Sequence, residues 1–256
     1  MRPMEAPLYE NDRRFHFGGL QLAVLDLDGA VRWIVQRSRD KLPASVVTPN
    51  INHLHLRRTS PAAQQAIDAA DMQLADGWPL ILGSRLLDGG LPGRIAGIDL
   101  VERLVDGGFG ARLAILGGPG DSATILATRA ASGNSIVLVD ELSPGWERSD
   151  RLRGLRDRLR EAAPDLVLIG VPAPRGEILA RQIQDVVQGP VVNCGAAVEV
   201  LAGFRPRAPQ AFQRLGMEWA FRLGMEPRRL ARRYLVSAVT FLRVMVAESA
   251  HRQRAG

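Results

Sequence analysis

Thr48, Asn50 and Asp76 have the types and spacing to act together on one ligand. Two short apolar runs, Ala44–Val47 and Met72–Ala75, each stop abruptly at polar residues: the first at Thr48-Pro49-Asn50, the second at Asp76-Gly77-Trp78-Pro79. A helical pattern follows each run. Strand, polar turn and helix, twice in succession, predict two strands whose carboxyl ends share one rim of a sheet, where open α/β folds bind ligands. A carboxylate there, beside a glycine that lets substrate approach, suits proton removal from a hydroxyl. The same residue types are also the preferred helix N-caps, and a proline just after a cap suits a first helical turn. Capping without function therefore accounts for the same spacing.

Other stretches carry weaker chemical signals. Asp26-Leu27-Asp28-Gly29 is close to the nucleophile motif of aspartyl-phosphate phosphatases and contains the DxD that metal-dependent glycosyltransferases use. The phosphatase reading needs a later lysine and a distal acidic pair. Lys41, the only lysine, lies too close, and no fitting pair follows. The DxD reading needs a nucleotide-binding half before it. A helix-capping turn is the default for Asp26 and Asp28. Gly117-Gly118-Pro119-Gly120, between the apolar run Arg112–Leu116 and a helix from Asp121, has the layout that brings backbone N–H groups to a phosphate or sugar, as does any tight βα turn. His53 and His55 face different sides of a helix and, with His16 and His251, form no zinc spacing, so they read as incidental. The single cysteine, Cys194, excludes a disulfide framework or thiolate metal site.

The elements that position these residues alternate strand and helix from Phe17 to Leu201. A strand or hairpin at Phe17–Leu25 is followed by strands at Arg112–Leu116, Ser135–Val139, Asp165–Gly170 and Pro190–Asn193, with helices between. This predicts an α/β fold: a doubly wound, mainly parallel, Rossmann-like sheet. The expected division is a disordered lead-in at 1–15, the α/β domain at 16–200 and an arginine-rich helical appendage at 201–256. The chain has 256 residues, 46 % of them hydrophobic, and a net charge of +6 carried almost wholly by arginine. Arginine's planar fork suits phosphate, so nucleotides, nucleic acid or an anionic membrane are the candidate partners. The sequence shows no secretory signal or membrane-spanning run, so a place on the cytosolic side is the expectation. Arg228, Arg229, Arg232 and Arg233 form a basic side on a last helix that starts at Glu226-Pro227, and Tyr234–Val246 is mostly apolar. Basic and apolar faces on one helix suit an interfacial helix, or a helix packed on the domain with solvated arginines.

The motifs, taken in order, are Thr48-Pro49-Asn50; Asp76-Gly77; Arg94-Ile95-Ala96-Gly97-Ile98-Asp99; Leu116-Gly117-Gly118; Pro174-Arg175-Gly176-Glu177; Arg207-Ala208-Pro209; Glu218-Trp219-Ala220-Phe221-Arg222-Leu223; and Glu226-Pro227-Arg228-Arg229 leading to Arg232-Arg233-Tyr234. In this combination the chain, from about Phe17 to Leu235, resembles the WecG/TagA/CpsF group of bacterial glycosyltransferases. The resemblance implies an inverting, metal-independent enzyme without a cofactor. It would move a sugar from a UDP-sugar, of N-acetylmannosamine, its uronic acid or glucose type, to a saccharide on a polyprenyl diphosphate, from the inner face of the cytoplasmic membrane. Asp76 takes the place of the proposed base. Thr48, Asn50, Arg94, Asp99, Gly117, Gly118, Glu177, Gly195, Arg207 and Arg222 are the implied donor or substrate contacts. Arg228, Arg229, Arg232 and Arg233 would meet the acceptor diphosphate or the membrane. Self-association is compatible with the resemblance. Two departures stand out: Gly176 where the group usually has Gln, which bears on sugar identity, and Ile98 where it usually has a small hydroxylic residue. The rival reading is a basic anion- or nucleic-acid-binding module. It lacks aromatic platforms, because Trp219, Phe221 and Tyr234 sit at helical spacings that read as core.

Overall fold

The computed structural model describes residues 13–214 and 216–255, with the side chains of residues 214, 229, 254 and 255 outside the description. Among the described residues, strands β1 (Arg14–Phe17), β2 (Leu20–Ala23), β3 (Ala44–Val47), β4 (Met72–Gln73), β5 (Arg112–Leu116), β6 (Ser135–Asp140), β7 (Leu166–Ile169) and β8 (Pro190–Asn193) form one sheet. Its order is β1-β2-β4-β3-β8-β7-β5-β6. β1 and β2 pair antiparallel and every other pairing is parallel. The α/β expectation holds. Every residue of β3, β7 and β8 is buried, as continuous apolar runs must be when helices cover both faces of a parallel sheet.

One face carries α1 (Leu27–Arg39), α5 (Gly97–Asp106), α6 (Ser122–Ala130) and α9 (Ala197–Leu201). Asp26 caps α1, its Oδ1 accepting from Gly29 N–H at 2.7 Å. Asp28 is exposed and paired with Arg103. The capping turn therefore accounts for the motif that resembles a phosphatase nucleophile. Val31, Ile34 and Val35 on α1 are buried, each contributing roughly 1.5–3 kcal/mol of burial. The other face carries α7 (Ser149–Ala162) and α8 (Arg175–Ile183) around Leu155, Leu159, Leu179 and Ile183. Toward the hairpin edge lie α2 (Ile51–Thr59), α3 (Pro61–Asp68) and α4 (Trp78–Leu86), packed on Phe15, Phe17, Leu20 and Leu22.

β1 begins at Arg14, inside the stretch read as a lead-in. Arg14-Phe15-His16-Phe17 alternates, and Phe15 and Phe17 point into the core. Four residues are too few for that period to stand out in a polar segment.

After β8 the described residues form only helices: α9, α10 (Gln210–Arg214), α11 (Glu218–Met225) and α12 (Pro227–Ala255). These helices are bound to the sheet domain at several points. Arg207 pairs with Asp99 and Glu102 on α5. Phe241 packs on Phe17 with ring centres 5.7 Å apart, Val244 is buried in the hairpin core, and Glu248 accepts from Gly18 N–H at 2.9 Å.

Strand register positions the functional rim. Gln73 pairs with Val47, Val47 with Asn193, and Asn193 with Ile169. The last residues of β4, β3, β8 and β7 therefore stand side by side, and the loops that follow them converge.

Candidate active site

A cleft of about 470 Å³ opens at that rim. Its floor is the four loops after β3, β4, β7 and β8, and its far wall is α11 and the first turns of α12. Thr48, Asn50, Asp76, Arg94, Glu177, Gly195, Arg222 and Arg233 all line it. Pairing continues past the strands, with Leu74 N–H donating to Val47 O at 2.9 Å and Asp76 N–H to Pro49 O at 2.7 Å. Asp76 is thereby held against the Thr48–Asn50 loop.

Capping and function divide between these residues. Asn50 is the N-cap of α2, its Oδ1 accepting from Asn52 N–H at 3.0 Å. Asp76 caps nothing: the N-cap of α4 is Gly77, without a side-chain bond. Gly77 has φ +133°, which favours glycine. The chain thus turns sharply after Asp76, and the carboxylate stays in the cleft. Burial pushes its pKa up to about 6, against the opposing pull of Arg94 and Arg222; Glu218 adds to the rise and His53 opposes it. A carboxylate opening only into a protein-walled cleft is poorly solvated, which favours its neutral form. A group that titrates near neutrality is well matched to proton transfer.

Arg94 donates to Glu218 at 2.6 Å, so this ion pair ties α11 to the loop before α5 beside Asp76. Among the described residues, neither Arg222 nor Arg233 is ion-paired with a carboxylate, although Arg222 and Asp76 act on each other through space. The N-termini of α2, α4, α5 and α9 also face the cleft through Ile51, Trp78, Gly97 and Ala197. Helix N-termini and arginine side chains together favour an anion.

Several expected contacts lie outside the lining. Gly117 and Gly118 have φ of +81° and +120°, but the N-terminus of α6 is already filled. Glu141 accepts from Thr124 N–H at 2.8 Å and Ala123 N–H at 3.1 Å. That internal carboxylate occupies the place proposed for a ligand anion. Asp99 and Arg207 neutralise each other in the ion pair described above, so they brace the chain at Arg207 against α5. The arginines of α12 separate: Arg233 turns to the cleft, while Arg228 and Arg232 are exposed away from its lining. The side chain of Arg229 lies outside the described residues. Trp219 is 50 % exposed and lines the cleft, its ring edge-on to Tyr234 at 6.3 Å. Helical spacing suggested core for these aromatics, but α11 presents Trp219 to the cavity.

Gly176 explains its own departure from the group's usual Gln. A Cβ there would come within 2.2 Å of Val171 O and 2.4 Å of Asn193 Oδ1. The first turn of α8 sits flush on β8, and Asn193 lines the cleft. Ile98 is 6 % exposed and belongs to the core under α5.

Sequence reasoning missed His53. It is buried on α2, its Nε2 lies 2.9 Å from Glu177 Oε1, and its Nδ1 accepts from Asn50 N–H at 3.0 Å. A capping box was the available signal, since the residue three after an N-cap reads back to it. No group of three or more His, Cys, Asp or Glu suited to a metal comes together among the described residues.

The architecture, the cleft at the strand ends and the arginine-bearing C-terminal helices all agree with one match. The sequence model of the WecG/TagA/CpsF family of glycosyl transferases covers residues 15–255, nearly the whole chain, so the protein belongs to that family and is a glycosyltransferase of cell-surface polysaccharide synthesis.

Proposed function

We propose that the protein is an inverting glycosyltransferase that moves a sugar from a UDP-sugar to a polyprenyl-diphosphate-linked saccharide, with Asp76 as general base. The carrying observation is Asp76 itself, non-capping, half-buried at the cleft floor, with its pKa pushed up to about 6 beside Arg94 and Arg222. Asp76 removes the proton of an acceptor hydroxyl as its oxygen attacks the anomeric carbon. The bond from that carbon to the diphosphate breaks on the opposite face, which inverts the centre. Charge builds on the departing UDP. In this reading Arg222, Arg233 and the helix N-termini, all at the cleft, stabilise it, as preorganised cations and dipoles do. The direct test is a donor screen that measures UDP release with a short-chain lipid-diphosphate sugar as acceptor. Absence of turnover with every UDP-sugar would remove this reading.

With cationic side chains in the role a metal would fill, turnover is expected to persist in excess EDTA. Loss of activity in chelator, restored by Mn²⁺ or Mg²⁺, would instead implicate a metal in the reaction.

A lipid-linked acceptor requires contact with a membrane surface. No helix among the described residues is long and apolar enough to cross one. On α12, Arg228, Arg232, Leu235, Val239, Leu242 and Val246 recur at steps of three or four and are all exposed. One stripe thus carries charge at its start and apolar side chains beyond, the pattern of a helix lying in the headgroup region. Replacing Leu235, Leu242 and Val246 by Ser, or Arg228 and Arg232 by Glu, should each weaken binding to anionic liposomes. Each arginine near the surface contributes about 1 kcal/mol. Unchanged sedimentation with liposomes in both variants would remove the membrane role of this stripe.

A further inference from the structure

Glu177 and His53 form a buried pair in the floor of the cleft. Glu177 is 3 % exposed. Its Oε2 is sealed from solvent and has no hydrogen-bond partner among the described residues, so the work of this side chain passes through Oε1. Oε1 meets His53 Nε2 at 2.9 Å. His53 Nδ1 accepts from Asn50 N–H at 3.0 Å, which assigns the ring proton to Nε2 and makes it the donor to Glu177. On the same peptide as Asn50 N–H, Pro49 O accepts from Asp76 N–H at 2.7 Å. The hydrogen bonds therefore run without a gap from α8, through the imidazole, to the loop after β3 and on to the backbone of the base. Gly176 makes this possible, because only a residue without Cβ lets the first turn of α8 close on Val171 and Asn193.

We infer that His53 and Glu177 are positioning residues for Asp76: they fix the Thr48–Asn50 loop, and through it the place of the catalytic carboxylate, without touching substrate. This rests on the assignment of Asp76 as base. A base displaced by a fraction of an ångström from the attacking hydroxyl loses much of its effect on the chemical step and little of the binding. The titratable and charged groups acting on Asp76 are Arg94, Arg222, Glu218 and His53, so movement of this loop should also alter the acid limb of the pH profile.

Three substitutions separate the links. In His53→Asn the side-chain oxygen can still accept from Asn50 N–H, but the bond to Glu177 is lost. In His53→Leu both bonds are lost. Glu177→Gln keeps an acceptor for Nε2–H. Both histidine variants should lower kcat about tenfold with donor and acceptor KM within about threefold of wild type, and both should shift the acid limb. Glu177→Gln should lower kcat less than either histidine variant, with both KM values within about threefold, since its Oε1 restores the bond. A tenfold rise in either KM for Glu177→Gln would overturn the inference and make Glu177 a substrate contact. Histidine variants with kcat and acid limb unchanged would overturn it too. Amide hydrogen exchange supplies a readout that does not depend on turnover. Protection of Asn50 N–H should fall in His53→Leu and survive in His53→Asn; equal protection in wild type and His53→Leu would break the chain at its second link. If wild type transfers no sugar from any UDP-sugar, the transfer reading fails on its own, and the exchange result still decides whether the tie exists.

Discussion

Asp76→Asn should lower turnover by roughly 10²-fold or more, in a protein that melts no lower than wild type at neutral pH. The amide matches the carboxylate in size but cannot take a proton from the acceptor. No cap is lost, because Gly77 and not Asp76 starts α4. Stability should in fact rise. The folded-state pKa of Asp76 is pushed up to about 6 from an ordinary 3.8, so the folded protein binds the neutral form more tightly. The cost of the ionised form is absent below about pH 4, grows as pH climbs toward 6 and is complete above it, on the order of 2–3 kcal/mol. Asp76→Asn removes that cost, so its melting temperature should exceed that of wild type above pH 6, and the gap should close toward pH 4. The wild-type rate should show an acid limb near pH 6, because the base must be ionised to act. A folded Asp76→Asn protein with near-normal kcat would end the assignment of Asp76 as base.

Removing Arg222 is expected to have the other large effect. It lines the cleft from α11, and it draws the pKa of Asp76 down. If it stabilises the charge arriving on the leaving diphosphate, Arg222→Ala should cost about 10²–10³-fold in kcat, as loss of one preorganised transition-state contact does. The acid limb should also move upward, because a cation that favours ionised Asp76 has gone. Arg222→Lys should recover part of the rate but not the full effect, since an ammonium cannot bind two phosphate oxygens as a fork. Arg94→Ala is a useful contrast. It too should raise the acid limb, but it also strands Glu218 beside Asp76 and loosens α11, so its melting temperature should fall. An Arg222→Ala enzyme with unaltered kcat would assign the leaving-group charge to other groups in the cleft.

Local and short-range features were legible in the sequence. Continuous apolar runs at Leu166–Ile169 and Pro190–Asn193 mark strands covered on both faces. Asp26 as a cap follows from a rule of helix starts. The pairing of Thr48-Pro49-Asn50 with Asp76-Gly77 at one rim follows from two strand-turn-helix units in succession. The start of β1 was missed because its alternation is only four residues long. Trp219 was misplaced because helical spacing tells which residues share a face and not whether that face meets a core or a cavity.

The sequence by itself determined the α/β class, the family and the chemical types at the rim, because these depend on period, order and residue identity along the chain. Tertiary structure alone decided which charges remain free to meet a ligand. Arg207 is neutralised by Asp99 and Glu102, and the α6 N-terminus by Glu141. Arg222 and Arg233 are left facing the cleft. His53 looked incidental and is buried against Glu177, 124 positions away in the chain. Ion pairing and desolvation act over a few ångströms in space, and sequence separation carries no information about them.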